Sequence, residues 1–125
     1  MLFTIDAHSV LPNYQQLILQ IKKNIIQGKL KANDQLPSIR SLSKELNVAI
    51  VTIKRTYEEL EKQGIIYTQG GKGVFVSDVD IIQLKQELQR DLVNELSKTI
   101  HLANYFGFDD NDIEIMLERA KHHDK

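Results

Sequence analysis

Seven residues between positions 38 and 72 are suited to one kind of chemistry, the recognition of a polyanion. Ser38 offers a hydroxyl; Arg40, Lys54, Arg55 and Lys72 carry positive charge; Thr52 sets a hydroxyl beside a methyl; Gly71 exposes bare backbone. Lysine and arginine donate to phosphate oxygens and to the acceptors of guanine, and threonine can meet a phosphate or a thymine methyl. Other chemistries find little to work with. The chain has no cysteine, so a disulfide framework and a thiolate zinc site are both excluded. His8, His101, His122 and His123 lack ligand spacing, and Asp109, Asp110 and Asp112 sit where a helix N-terminus favours negative charge, so no metal is expected. No nucleophile-and-base arrangement or phosphate loop is present, so neither catalysis nor a cofactor is expected.

These residues must be positioned by short elements. Pro12 suits a first helical position, Leu17, Ile18, Ile21 and Ile25 recur at helical spacing, and Gly28 stops that helix. A strand is predicted over Phe3–Ile5, and Lys29 to Leu36 reads as a connector. Pro37 forces an extended residue before it, Ser38 can cap a second helix with Ile39, Leu42 and Leu46 on its apolar face, and Asn47 can take a left-handed turn. A third helix spans about Ile50 to Gln63, with Ile53, Tyr57 and Leu60 inward and Thr52, Lys54, Arg55 and Glu58 outward. Gly64 ends it, and Ile65–Gln69 and Val74–Ser77 flank Gly70-Gly71-Lys72-Gly73 as a hairpin. Two short helices, a tight turn and a glycine-tipped hairpin are the ground plan of a winged helix-turn-helix, which lays one helix in the DNA major groove. On that plan Ser38 and its helix N-terminus suit a phosphate, and Thr52, Lys54 and Arg55 lie near the groove-entering end. Gly71 and Lys72 at the wing tip suit the electronegative minor groove.

Beyond Ser77 the pattern changes. Ile81, Leu84, Leu88, Leu92, Leu96, Ile100 and Ala103 trace a long helical stripe, Gly107 interrupts it, and Asp109 can cap a last helix with Ile113, Met116, Leu117 and Ala120 inward. Two such helices cannot bury their stripes against each other completely, so Leu84, Leu88, Leu92, Leu96 and Ile100 are expected to meet a second copy of the chain. Charge divides at the same place. Residues 1–77 carry ten Lys and Arg against six Asp and Glu, a net +4, whereas residues 78–125 carry six against eleven, a net −5. The basic part can meet phosphate and the acidic part is repelled by it. The expected fold is α+β, mainly α, with a winged domain over 1–77 and a two-helix dimerisation module over 78–125. No apolar run approaches the roughly 20 residues of a membrane helix, and no secretion signal is visible, so a cytoplasmic protein with no membrane partner is expected.

The Leu36-Pro37-Ser38-Ile39-Arg40 opening and the Gly71-Lys72-Gly73-Val74-Phe75-Val76 close resemble the DNA-binding domain of the GntR family of bacterial transcription regulators, from near Leu11 onward. The short helical tail resembles the YtrA-type branch of that family. The resemblance implies a homodimeric repressor on a palindromic operator of double-stranded DNA, with Arg40 contacting a phosphate or base. It also implies control of a transporter operon and of the regulator's own gene. Two positions depart from the pattern. Ala49 stands where the family usually has Ser or Asn, and Ile50 where it very often has Arg, so the third helix lacks a side-chain cap and one strong donor. An aliphatic residue there can pack on a thymine methyl but cannot donate to guanine. Two other readings stay open at this point: a winged-helix protein-interaction module without DNA binding, and a regulator sensing a metal or metabolite. No small-molecule effector is legible.

Overall fold

Leu17, Ile18, Ile21 and Ile25 are all buried along α1 (Asn13–Ile26) in the computed structural model, which describes residues 3–123. Pro12 is the residue before the helix rather than its first member, because its ψ of 154° is extended. Gly28, with φ +77°, turns the chain out of the helix, and its N–H donates to the Ile25 carbonyl at 3.1 Å.

The segment before α1 is not a strand. Its main chain is paired by glutamine side chains of α1 instead. Gln20 accepts from the Thr4 N–H (2.9 Å) and donates to the Thr4 carbonyl (2.6 Å). Gln16 accepts from the Asp6 N–H (2.9 Å) and donates to the carbonyls of Asp6 (3.0 Å) and Leu11 (2.9 Å). Backbone groups need partners, and carboxamides supplied here what a neighbouring strand would have given.

The expected connector contains a strand of its own. β1 (Gln35–Leu36) pairs antiparallel with β3 (Gly73–Val76), which also pairs with β2 (Ile66–Gln69), giving the order β1-β3-β2. The register sets Gln35 opposite Phe75 and Leu36 opposite Val74. Between β1 and β2 lie α2 (Ile39–Leu46) and α3 (Ile50–Lys62). The core under these elements holds Leu17, Ile21, Leu42, Ile53, Leu60 and Val76, with Thr56 buried among them and its hydroxyl donating to the Thr52 carbonyl at 2.9 Å.

Three local devices set α2 against α3. Ser38 caps α2, its Oγ accepting from the Ser41 N–H at 3.0 Å. Asn47 adopts φ 54°, and around it the Val48 N–H donates to the Ser43 carbonyl (3.0 Å) while the Ser43 hydroxyl donates to the Val48 carbonyl. The buried Tyr57 hydroxyl of α3 donates to the Pro37 carbonyl at 2.7 Å, fastening α3 to the start of α2.

The chain divides into two compact units, one reaching to Leu84 and the other starting at Lys85. The break falls inside α4 (Ile81–Tyr105), beyond the change in composition at Ser77. Leu84 was expected on an exposed stripe; instead it is 4% exposed and closes the first unit. The second unit holds the rest of α4 and α5 (Asp110–Lys121). Asp109 and Asp112 form a reciprocal capping box at its start, accepting each other's backbone N–H at 2.9 and 3.0 Å, which accounts for the acidic cluster. Ile113 and Met116 are half-buried, but Leu117 and Ala120, expected inward, are exposed. Among the described residues no helix is long and apolar enough to cross a membrane.

Tyr57→Phe should cost about 1–3 kcal/mol by leaving the Pro37 carbonyl unpaired, read as a lower urea midpoint at neutral pH. Burial raises the phenol's ionisation well above its ordinary value of 10.0. The contribution is therefore fully present below pH 10 and is lost as pH rises further, because the unfolded phenol ionises first. The stabilities of wild type and variant should converge above pH 10; a gap unchanged at pH 11 would reject the linkage.

Candidate nucleic-acid interface

All seven residues with polyanion chemistry lie in the first unit, on α2, α3 and the hairpin tip. Ser38 and Arg40 flank the start of α2, and both are exposed. Because Tyr57 holds that start to α3, they are tied to the helix that carries Thr52, Lys54 and Arg55. Lys54 is exposed, and no ion pair among the described residues engages it, Arg40 or Lys72. Among the described residues their charges are thus uncompensated by an ion pair. Thr52 is half-buried, and its carbonyl is already used by Thr56.

Arg55 differs from its neighbours. Its guanidinium carbon lies 3.7 Å from the centroid of the Tyr14 ring on α1, a cation–π stack that holds the side chain against the neighbouring helix. Tyr14 was not singled out from the sequence. An aromatic residue on one helix and an arginine on another carry no pairing signal until the helices are packed.

The N-terminal end of α3 lacks two features that often stabilise a helix start. Ala49 precedes it with no side-chain hydrogen bond to the helix, and no acidic residue lies in the first turn. Ile50 and Val51 are 51% and 70% exposed, so this end presents aliphatic surface together with uncapped N–H groups. Ile50 does not fold back into the core.

At the hairpin, Gly71 has φ +75°, a left-handed value that suits glycine, and the Lys72 N–H donates to the Gln69 carbonyl at 2.9 Å, closing a tight turn. Lys72 is exposed at this tip.

An α2–turn–α3 pair with free cations, followed by a glycine-tipped wing, matches the pattern of the bacterial regulatory proteins of the gntR family over residues 13–76, from the start of α1 to the end of β3. The chain belongs to the GntR family. It is 34% identical over 103 residues to the HTH-type transcriptional repressor YtrA of Bacillus subtilis, spanning 82% of this chain and 79% of that protein. A GntR family transcriptional regulator from Listeria monocytogenes shares its fold with a TM-score of 0.67 at 30% identity, covering 92% of this chain and 98% of that one. The AraR DNA-binding domain, solved in complex with an operator, matches with a TM-score of 0.53 at 30% identity over 60% of this chain and 93% of its own. The chain is a DNA-binding transcription regulator of a family of regulators rather than enzymes.

The placement of two cations yields a test. Arg40→Ala should weaken binding to every duplex, whereas Lys54→Ala should mainly relax base preference, by about 1–3 kcal/mol at its base pair. Titrations of each variant on operator and on scrambled DNA separate the two effects; equal losses on both DNAs for Lys54→Ala would reject its role as a base reader.

Proposed function

We propose that this GntR regulator is a homodimeric repressor that binds a palindromic operator, one winged domain to each half-site. The observation that carries the reading is the apolar surface left on the second unit. Leu92 and Leu96 are 65% and 53% exposed, Ile100 is also exposed, and so are Tyr105, Phe106 and Phe108 around the turn at Gly107. Beyond Leu84 neither α4 nor α5 has a buried residue. A pair of helices this poorly buried needs a partner to be stable, and a second copy supplies a matching stripe. Leu88 is half-buried and fits the edge of such a contact, whereas Leu84 is spent within the first unit. The three aromatic residues extend the interface beyond the leucine stripe.

In this reading Ser38 and Arg40 hold phosphate, Thr52 and Lys54 read bases, and Gly71 and Lys72 enter the minor groove. Arg55, drawn toward Tyr14, serves a phosphate rather than a base edge. The similarity to the YtrA repressor supports negative control, and a transporter operon together with the regulator's own gene are the proposed targets. The protein acts in the cytoplasm, where its DNA is.

Leu92→Glu with Leu96→Glu should split the dimer by burying unpaired charge, a penalty of several kcal/mol. Operator affinity should fall with it, because the half-sites then bind independently. Sedimentation and footprinting read the two consequences. An unaltered protein that sediments as a monomer at tens of micromolar would overturn the dimer.

A second expectation concerns Ile50 and Val51. Thymine methyls are the apolar features of the major groove, so the selected half-site should contain A·T pairs opposite these side chains. Replacing those thymines by uracil, which lacks only the methyl, should cost roughly fourfold in affinity per methyl lost. Ile50→Ala should reduce that discrimination, and Ile50→Ala with Val51→Ala should reduce it further. Indifference of the unaltered protein to the replacement would refute the contact.

A further inference from the structure

We propose that Gln35, in the two-residue strand β1, is a positioning residue that holds the wing tip in its DNA-ready shape; the proposal rests on the reading of Lys72 as a DNA contact. The neighbouring Leu36 is buried and anchors the strand, so alternation turns Gln35 to the opposite side. From there its carboxamide Nε2 donates to the carbonyl of Lys72 at 3.1 Å, bridging 37 positions of sequence. Space for this reach exists because position 73 is glycine. A Cβ on Gly73 would stand 2.6 Å from the same Nε2, and its φ of +127° is a conformation that other residues avoid.

The tip needs such a brace. Gly70 and Gly71 have no other atoms within 4 Å of where a Cβ would sit, and two adjacent glycines leave the backbone many alternatives. Inside the hairpin, the turn is closed by the Lys72 N–H to Gln69 bond. Gln35 grips the following peptide group from outside the hairpin, on a strand that the core already fixes. The residues just before it hold the other end of β3: the Asn33 N–H donates to the Val76 carbonyl (2.7 Å), and the Val76 N–H donates to the Asp34 carbonyl (2.8 Å). The Tyr67 hydroxyl of β2 also donates to Asn33 Oδ1 at 2.8 Å. Segment 33–35 thus clamps the wing at base and tip. A tip ordered before binding does not spend binding energy on becoming ordered.

The test uses the full-length protein with Gln35→Leu, Lys72→Ala and the double variant. In the free protein, backbone ¹⁵N order parameters at Gly71 and Lys72 should fall in Gln35→Leu while those of α3 stay unchanged. On an operator duplex, Lys72→Ala should lower affinity and reduce the salt slope by about 2, about 1 for each winged domain of the dimer. Gln35→Leu alone should lower affinity several-fold, and added to Lys72→Ala it should cost nothing more. Unchanged order at the tip overturns the brace. So does a Gln35→Leu loss that persists in full beside Lys72→Ala, which would mark a general effect on the fold. If Lys72→Ala binds as well as wild type, the wing contact itself is wrong and the positioning role falls with it, even where the tip has loosened.

Discussion

The hydrogen bond from the Tyr57 hydroxyl to the Pro37 carbonyl is the constraint on which the DNA-reading geometry depends. Tyr57 lies in the middle of α3 with its ring buried, so its hydroxyl must find a partner inside the fold. It finds the carbonyl just ahead of the Ser38 cap. A helix pair held only by apolar contact can slide, because dispersion has little directional preference. One directional bond at 2.7 Å joins the hydrogen-bonded turn at Asn47 in limiting that freedom, and it ties Ser38 and Arg40 to the helix that carries Lys54.

The two units obey different physics. The first closes its own core, with side chains such as Leu17, Ile21 and Leu60 almost wholly withdrawn from water, and spends carboxamides and hydroxyls on its irregular backbone. Its surface carries the excess of positive charge. The second unit is capped well at Asp109 but buries little, and its surface mixes acids with exposed leucine, isoleucine and aromatic side chains. Local signals suffice to make its helices; they do not suffice to give them a core.

Much of the recognition unit was legible. Gly28, Ser38, Asn47 and Gly64 punctuate the chain, and the structure uses each as expected, because caps and left-handed turns are decided by one residue's own conformational preferences. The inward face of α3 followed from spacing for the same reason. The misses share a different cause. The expected strand at Phe3–Ile5 failed because Gln20, far along the chain on α1, took both backbone groups of Thr4 at its centre. β1 went unseen because two residues make no pattern, and only pairing with β3 defines them. Leu84 looked like any other leucine on its stripe until the first unit closed over it.

Residue types alone determined that this chain would offer cations and hydroxyls on a short helix pair with a glycine-tipped hairpin, and that its acidic tail would be a long apolar-striped helix. Those properties are local, set by spacing, capping and charge, and survive any packing of the elements. Tertiary structure decided what each charge is free to do. It stacked Arg55 on Tyr14, left Lys54 and Arg40 without ion-pair partners among the described residues, turned Ile50 and Val51 to solvent, and brought Gln35 to the wing tip. Such contacts join residues as far apart as positions 14 and 55, where no periodicity reaches. They arise only when packing of the apolar faces sets the distances between elements.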